Sequence, residues 1–322
     1  MGTFLRSRRN FTRFVWVTLG LLILVILWGA FVRATGSGAG CGSHWPLCNG
    51  VVLPREARVD TMIEFFHRIT SALSGLFVLA MVVWAFRLFP KGHIVRKGAV
   101  LSLFFIITES LLGAGLVLFE WVAHNASVGR AISMALHLVN TFLLLGAVTL
   151  TAWWAGGGQP LRLRGQGTVG WLVFGGLLLM MVLGASGAVT ALGDTLFPAG
   201  SLTEGIAQDF LPTAHFLIRL RVYHPIIAII TGIYLALAGR AIVAKRPGPD
   251  THRFSRAVIA IVVVQLVAGF VNVILLAPVW MQMIHLLLAD LLWIAAVLLA
   301  AAALSEEPVV EKAPSLAPQA GD

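Results

Sequence analysis

The sequence predicts an all-α polytopic membrane protein with eight transmembrane helices. Of its 322 residues, 58% are hydrophobic and only 11% are charged, and the mean hydropathy is +0.91. A soluble domain carries about 25% charged residues, and one membrane-spanning helix needs roughly 20 predominantly apolar residues. This composition excludes a soluble globular enzyme, a disordered protein and a disulfide-rich secreted module.

Eight long apolar segments account for most of the chain. They lack the alternation of barrel strands, and in lipid only helices and closed barrels satisfy their own backbone polar groups. The first segment is too long to be the apolar region of a signal peptide, so we expect it to be a retained helix. The predicted segments are 12–34, 62–89, 97–119, 128–154, 168–192, 214–243, 255–278 and 280–304.

Basic residues predict the orientation of these helices. The formal net charge is +9, and the lysines and arginines of the connections concentrate in the even-numbered ones, whereas the odd-numbered connections carry only Arg55 and Arg58. By the positive-inside rule, both termini are predicted to be cytoplasmic, in a multi-pass protein of the plasma membrane. Short basic runs between apolar segments set this orientation and do not predict nucleic-acid binding.

Weak internal similarity predicts a duplicated architecture. Gly29-Ala30 resembles Gly184-Ala185, and Glu109-Ser-Leu-Leu-Gly113 resembles Gln265-Leu-Val-Ala-Gly269. We therefore expect two pseudo-symmetric four-helix bundles, related by an axis along the membrane normal. The predicted division is an N-terminal bundle over 1–154, a cytoplasmic linker over 155–167, a C-terminal bundle over 168–304 and a disordered cytoplasmic tail over 305–322.

Four of the nine histidines lie inside apolar segments, namely His67, His137, His224 and His285. Each follows the predicted start of its helix by roughly 5 to 10 residues, which places it about 8–15 Å deep at 1.5 Å per residue. Because these four helices run in the same direction, one pair per bundle is expected in the outer half of the bilayer. Ionisable residues at such depth are costly and usually functional.

Two histidines on facing helices of an apolar bundle suit bis-histidine haem, because imidazole is a good axial ligand and the macrocycle is itself apolar. Ser71 and Gly75, one and two turns after His67, leave room for a flat ring, as does Gly232 after His224. For any single histidine the alternative is an interhelical hydrogen bond.

Arginines near the outer helix ends are predicted to pair with haem propionates, because guanidinium groups bind carboxylates well. The alternative for each is snorkelling to the membrane interface. The five are Arg33, Arg68, Arg130, Arg219 and Arg221.

Glu64 lies three residues before His67 and therefore on the same helical face. A carboxylate there is suited to move protons or to stabilise developing positive charge, and the alternative is a first-turn acid favoured by the helix dipole. Arg221 occupies the equivalent position before His224. This asymmetry predicts one catalytic haem and one electron-carrying haem.

For Glu109, whose counterpart is Gln265, we expect a buried hydrogen-bonding role.

Cys41 and Cys48 are the only cysteines, and both fall in the first external connection. An oxidising compartment lets a disulfide persist. We therefore expect a disulfide between them, with two free thiols as the alternative.

Three stretches resemble one family of membrane enzymes, the haem A synthases. Residues Gly29 to Cys48 are similar to that family's first helix and first loop, and Glu64-Phe-Phe-His67-Arg68 resembles its E-x-x-H-R motif. Asn272 to Pro278 resembles the end of its seventh helix. The resemblance extends over about residues 12–304.

The resemblance implies oxidation of the C8 methyl group of haem O to a formyl group, which gives haem A for terminal oxidases. It implies that His67 and His137 bind the substrate haem, that Glu64 is catalytic, and that His224 and His285 ligate haem b as the cofactor. Cys41 and Cys48 map to the family's external cysteine pair. The stretch 193–213 lacks the second cysteine pair of some bacterial members.

Two other functional classes remain as alternatives. A non-catalytic di-haem b-type cytochrome would pass electrons to or from quinone. A duplicated transporter would line a path across both leaflets with polar residues, whereas here the polar residues cluster on the outer side. The predicted partners are haem O as substrate, membrane lipid and a haem O synthase in complex, and the sequence names no electron acceptor.

Overall fold

A computed structural model describes residues 7–55 and 58–305, and within these ranges the chain forms helices and no β-strand. The predicted all-α fold is confirmed. The helices are α1 (Arg8–Ala34), α2 (Val59–Leu88), α3 (Ile94–Leu118), α4 (Val128–Ala155), α5 (Gly167–Leu196), α6 (Leu202–Phe210), α7 (Phe216–Arg221), α8 (Tyr223–Lys245), α9 (Pro249–Ile274) and α10 (Val279–Leu304). The predicted tail, beyond Ser305, lies outside the described residues.

Within the described residues, eight spans are long and apolar enough to cross a membrane, as predicted, and their limits lie within six residues of the predicted limits. The sixth span runs from Phe216 to Lys245 and consists of α7 and α8, separated at Val222. Pro225 explains the interruption, because it has no N–H to donate to the carbonyl of Arg221. The short helix α6, which precedes this span, has no counterpart in the predicted segments.

Side chains with hydrogen-bonding capacity fix several helix starts. Ser127 Oγ accepts from the backbone N–H of Arg130 at the start of α4 (3.2 Å), and Ser201 Oγ accepts from Glu204 N at the start of α6 (3.2 Å). His93 and His215 act in the same way through Nδ1 at α3 and α7. Such caps satisfy the free N–H groups of a first helical turn.

The spans pack as two connected rings of helices. In the first ring α1 contacts α2, α2 contacts α3, α3 contacts α4, and α4 returns to α1. In the second ring, α5 contacts α8, α8 contacts α9, α9 contacts α10, and α10 returns to α5. Consequently α2 and α4 lie across the first ring from each other, and α8 and α10 lie across the second.

Helices α1, α4, α5 and α10 join the two rings. The indole of Trp293 on α10 stacks on the ring of Phe142 on α4, with centroids 4.9 Å apart, and its N–H donates to the Phe142 carbonyl (2.5 Å). The second half of α10, from Leu292 to Leu304, is buried throughout. The α4–α10 contact is therefore the centre of the apolar core.

A disulfide joins Cys41 to Cys48 in the connection between α1 and α2, as predicted. Both cysteines are buried and pack against Phe65 of α2. We call the end of the helices that carries this connection the disulfide end. The connections 119–127, 197–215 and 275–278 lie at the same end, because successive spans are antiparallel.

Candidate functional site

His224 and His285 face each other across the second ring near the disulfide end. Their imidazole centroids are 6.4 Å apart, and the ring planes are inclined by 81°. A metal ion held between two imidazole nitrogens at about 2 Å from each would give a centroid separation of about 6 Å. The spacing of this pair is therefore compatible with one metal ion between the rings.

The surroundings of His224 fix its tautomer. The Ser186 hydroxyl donates to the carbonyl of Leu183 (2.8 Å), so its oxygen is left to accept from His224 Nδ1, which lies 3.0 Å away. A proton on Nδ1 leaves Nε2 with a free lone pair, which is the form that binds a metal. At His285, the Gln265 amide donates to the histidine's own carbonyl (3.1 Å) and lies 3.3 Å from Nε2.

His67 and His137 occupy α2 and α4, on opposite sides of the first ring. His137 Nδ1 lies 3.1 Å from Glu109 Oε1 of α3. Glu109 also accepts from Asn140 Nδ2 (2.6 Å) and from the Thr141 hydroxyl. Glu109 is thus a half-buried acceptor of two hydrogen bonds, in agreement with the expected hydrogen-bonding role, and its carboxylate lies beside His137 Nδ1 and leaves Nε2 free of this contact.

Haem fits these donor sets better than a bare metal ion does. Among the described residues, no group of three or more His, Cys, Asp or Glu side chains is arranged to hold a metal ion. Two imidazoles alone leave most coordination positions of a transition metal unfilled, whereas haem brings its own four nitrogens and needs only axial ligands. Helices of high apolar content enclose both pairs, which suits the macrocycle.

Glu64 is almost fully buried, and its carboxylate is directed to the disulfide connection. Oε2 accepts from the backbone N–H of Cys41 (2.8 Å), and Oε1 accepts from Arg68 Nε (3.1 Å) and Nη2 (2.6 Å). The other terminal nitrogen of Arg68 donates to the carbonyls of His44 (2.6 Å) and Leu47 (2.7 Å). The motif that contains His67 thus also anchors the disulfide connection to α2.

The arginines predicted to bind propionates are mostly engaged by protein acceptors. Arg33 of α1 donates to the Ala191 carbonyl (2.6 Å) and Thr195 hydroxyl (2.6 Å) of α5, and to Gln282 Oε1 of α10 (2.8 Å). Arg130 donates to the carbonyls of Ala123 (2.6 Å) and Asn125 (2.8 Å). A role for these guanidinium groups toward a ligand stays a prediction.

The two arginines of α7 differ from each other. Arg221 pairs with Asp209 of α6 and with Asp194 of α5 (3.4 Å), and it donates to the Gly205 carbonyl (3.0 Å). Arg219 is exposed. Arg221 therefore ties α6 to the disulfide end of the second ring.

Asp290 is a buried carboxyl group that the sequence reasoning missed. It lies in α10, is fully buried, and neither carboxylate oxygen has a hydrogen-bond partner among the described residues. It precedes Trp293 by three residues and so shares the face of α10 that packs on α4. The signal was present, since this is the one acidic residue of a predominantly apolar span.

The fold and the paired histidines define an integral membrane protein with eight spans and two candidate bis-histidine sites. A family profile described as cytochrome oxidase assembly protein (COX15-CtaA) matches residues 12–297. The chain belongs to this family, and heme A synthases are among the relatives it matches.

The similar proteins carry two different names, one of a farnesyltransferase and one of a heme A synthase. A protein of Thermus thermophilus named "Protoheme IX farnesyltransferase" is 56% identical over 291 residues, which is 90% of this chain and 48% of that protein. The "Heme A synthase" of Shouchella clausii is 46% identical over 102 residues, 32% of this chain and 34% of that protein. That of Bacillus licheniformis is 38% identical over 136 residues, 42% of this chain and 41% of that protein. The chain thus spans about half the length, or less, of these relatives.

Proposed function

We propose that the protein is a haem A synthase, an oxidoreductase that converts the C8 methyl group of haem O to a formyl group. The four intramembrane histidines are the observation that supports this proposal most. His224 and His285 face each other with centroids 6.4 Å apart, and His67 and His137 lie on helices across the first ring from each other. The conversion adds one oxygen atom and removes two hydrogen atoms, so four electrons leave the methyl carbon and must pass to an electron acceptor. The family and the relatives named heme A synthase also support it.

The first ring is proposed to hold the substrate. His67 and His137 would bind the iron of haem O, and Glu109 would keep His137 in the tautomer that presents Nε2. Glu64 is proposed as the catalytic carboxylate, which accepts protons released as the methyl group is oxidised. Its support from Arg68 and the Cys41 N–H fixes the carboxylate in one place.

The second ring is proposed to hold haem b as a resident cofactor, with His224 and His285 as axial ligands. When bound, haem b would supply one-electron transfer. Ser186 would orient His224, and Gln265 would pack beside His285. The two sites differ at the residue three positions before the first histidine. This residue is Glu64 in the first ring and Arg221 in the second, so the second site lacks the carboxylate.

The positions of the sites accord with a proposed division at residues 1–154 and 168–304, joined by 155–167, with pseudo-symmetry between the two bundles. We further propose a plasma-membrane protein with both termini in the cytoplasm, so that the disulfide end faces outward. The bias of basic residues supports this orientation, and so does the disulfide, because such bonds persist in oxidising compartments.

A haem O synthase is proposed as the partner that supplies the substrate. The Thermus relative is named for transfer of a farnesyl group to protohaem IX, and this chain matches about half of it. An enzyme that makes a farnesylated haem and an enzyme that consumes one would gain from direct contact, because the intermediate is poorly soluble in water.

A non-catalytic di-haem cytochrome is the second candidate. The engagement of Glu64 by Arg68 and Cys41 favours it, because a carboxylate with three donors is suited to a structural role. Extraction and mass analysis of haems from cells that express the chain beside a haem O producer separates the two functions. The synthase predicts haem A, and a cytochrome predicts unchanged haem O.

Glu64→Ala and Glu64→Gln refine this experiment. A catalytic Glu64 predicts loss of haem A in both variants, with an unchanged spectrum from the His224 and His285 site. The double variant Cys41→Ser/Cys48→Ser serves as the control for loosening of the disulfide connection. Full haem A production by Glu64→Gln would remove Glu64 from the reaction.

A further inference from the structure

A glycine lies against the imidazole of each of the four histidines. In every case the glycine belongs to the span that precedes the histidine's own span in the chain. The pairs are Gly29 with His67, Gly113 with His137, Gly187 with His224, and Gly269 with His285.

Three of these contacts are closer than a Cβ atom normally allows. A Cβ atom at Gly29 would lie 2.9 Å from Cε1 of His67, one at Gly187 would lie 3.0 Å from Cε1 of His224, and one at Gly269 would lie 3.1 Å from Cε1 of His285. Nine in ten real Cβ contacts are longer than 3.4 Å. A methyl group at Gly29 would therefore require the imidazole of His67 to shift, and one at Gly187 or Gly269 would require its imidazole to give by a few tenths of an ångström.

The fourth contact is ordinary. A Cβ atom at Gly113 would lie 3.8 Å from Nε2 of His137, a normal van der Waals distance. His137 is also the histidine whose Nδ1 lies beside the Glu109 carboxylate. Its orientation thus depends on a charged neighbour more than on the glycine.

The four imidazoles differ in the polar groups beside their ring nitrogens. Nδ1 of His67, His137 and His285 are each buried without a hydrogen-bond partner among the described residues. Gln265 Nε2 lies 3.3 Å from Nε2 of His285. His224 and His137 have Ser186 and Glu109 beside Nδ1. Each couple therefore combines one ring with a polar side chain beside Nδ1 and one ring whose Nδ1 has no such neighbour.

We propose that Gly29, Gly187 and Gly269 are positioning residues that set the plane and depth of the axial imidazoles. This inference rests on the proposed haem ligation by the histidines. A backbone without a side chain lets the Cε1 edge of each imidazole approach the neighbouring helix closely, and that approach fixes where the ring lies. Residues that orient a metal ligand change metal affinity by about 10–100-fold when they are replaced.

Alanine substitutions in the full-length chain test the proposal. Gly29→Ala, Gly187→Ala and Gly269→Ala are each expected to lower haem affinity at their own site at least tenfold, or to shift its low-spin absorption and reduction potential. Gly113→Ala is expected to change these properties much less. Two glycines with no close neighbour serve as controls, Gly20→Ala, with nothing within 4 Å, and Gly115→Ala, whose nearest atom is 3.9 Å away.

A double-mutant cycle separates ligand positioning from helix packing, and it needs no haem. If Gly29 acts through the imidazole, Gly29→Ala lowers the melting temperature of the apoprotein in the wild-type background but not in a His67→Ala background. An equal loss in both backgrounds would show that Gly29 serves only the approach of α1 to α2, which overturns the proposal. The cycle also gives a result where Gly29→Ala alone folds poorly.

The outcomes distinguish this inference from the function on which it rests. Wild-type protein that folds but binds no haem contradicts the proposed function. Wild-type protein that binds haem, together with Gly29→Ala, Gly187→Ala and Gly269→Ala variants whose spectra match that of Gly20→Ala, contradicts the role of the glycines and leaves the function standing.

Discussion

Two carboxyl groups within the spans, half-buried Glu109 and fully buried Asp290, differ in their hydrogen bonding. Glu109 has Asn140, Thr141 and His137 around it, whereas Asp290 has no hydrogen-bond partner among the described residues. A buried polar group is stabilising only when its bonds are made, and removal of one partner of a satisfied set is costly. Replacement of the carboxyl group by an amide should therefore change the free energy of unfolding differently at the two positions.

We predict that Asp290→Asn leaves the free energy of unfolding unchanged or raises it, because the substitution removes a buried ionisable group without losing a bond. Glu109→Gln is the matched comparison and should lower stability by about 1–3 kcal/mol. Thermal unfolding in detergent measures both. A marked loss of stability or of haem in Asp290→Asn would show that this carboxyl group has a partner in the working protein.

The sequence predicted the four histidines and Glu64 from their depth and spacing, but not the direction of every side chain. The similarity of Gly29-Ala30 to Gly184-Ala185 is three residues out of register with the structure, in which Gly187 contacts His224 and Gly184 faces Phe142. Gly184-Ala185 and Gly187-Ala188 follow each other within one helical turn, so the sequence alone does not show which of them corresponds to Gly29-Ala30. Only the packing of α5 on α8 and α4 does.

At the scale of elements, α6 and its attachment are the part of the fold that hydropathy did not predict. Hydropathy detects spans because transfer to lipid needs about 20 apolar residues, and α6 has only nine residues. Its position depends on ion pairs of Arg221 with Asp209 and Asp194, which join three separate helices. These ion pairs join residues that are far apart in the chain, so the hydropathy of a short segment does not predict them.

Arg221→Ala is predicted to loosen α6. Loss of the two ion pairs and of the bond to the Gly205 carbonyl should raise amide hydrogen exchange across 202–210 at least several-fold, because local opening becomes less costly. Arg219→Ala, two residues earlier and exposed, is the control and should leave this exchange unchanged. Equal exchange in the two variants would mean that Arg221 does not hold the helix.

The connection between α1 and α2 is held by α2 itself. Arg68 and Glu64 bind three backbone groups of that connection, Cys41 N, His44 O and Leu47 O. Arg68→Ala is predicted to make the Cys41–Cys48 disulfide more accessible to a reductant, because the connection loses two of its anchors. Alkylation after a brief exposure to dithiothreitol measures this. Arg58→Ala is the control, because Arg58 is largely exposed and pairs with Asp60 (3.1 Å). Unchanged reduction in Arg68→Ala would contradict it.

At the scale of the whole molecule, Arg33 connects the two rings near the histidines. Its guanidinium group binds two acceptors on α5 and one on α10, although Arg33 itself belongs to α1. Arg33→Met preserves most of the side-chain volume and removes three hydrogen bonds. We predict a loss of about 1–3 kcal/mol in stability, and a thermodynamic coupling to Gln282→Leu in a double-mutant cycle. If the stability losses of Arg33→Met and Gln282→Leu simply add in the double variant, the two side chains do not interact directly, which would contradict the prediction.

The histidine couples are the central feature of this account, and haem content tests them most directly. Optical and electron paramagnetic resonance spectra of the purified chain, scaled to haem per polypeptide, are compared with those of His224→Ala/His285→Ala and His67→Ala/His137→Ala. We predict a low-spin b-type signal in the wild type that disappears in the first double variant and persists in the second. A b-type signal that survives without His224 and His285 would contradict the account.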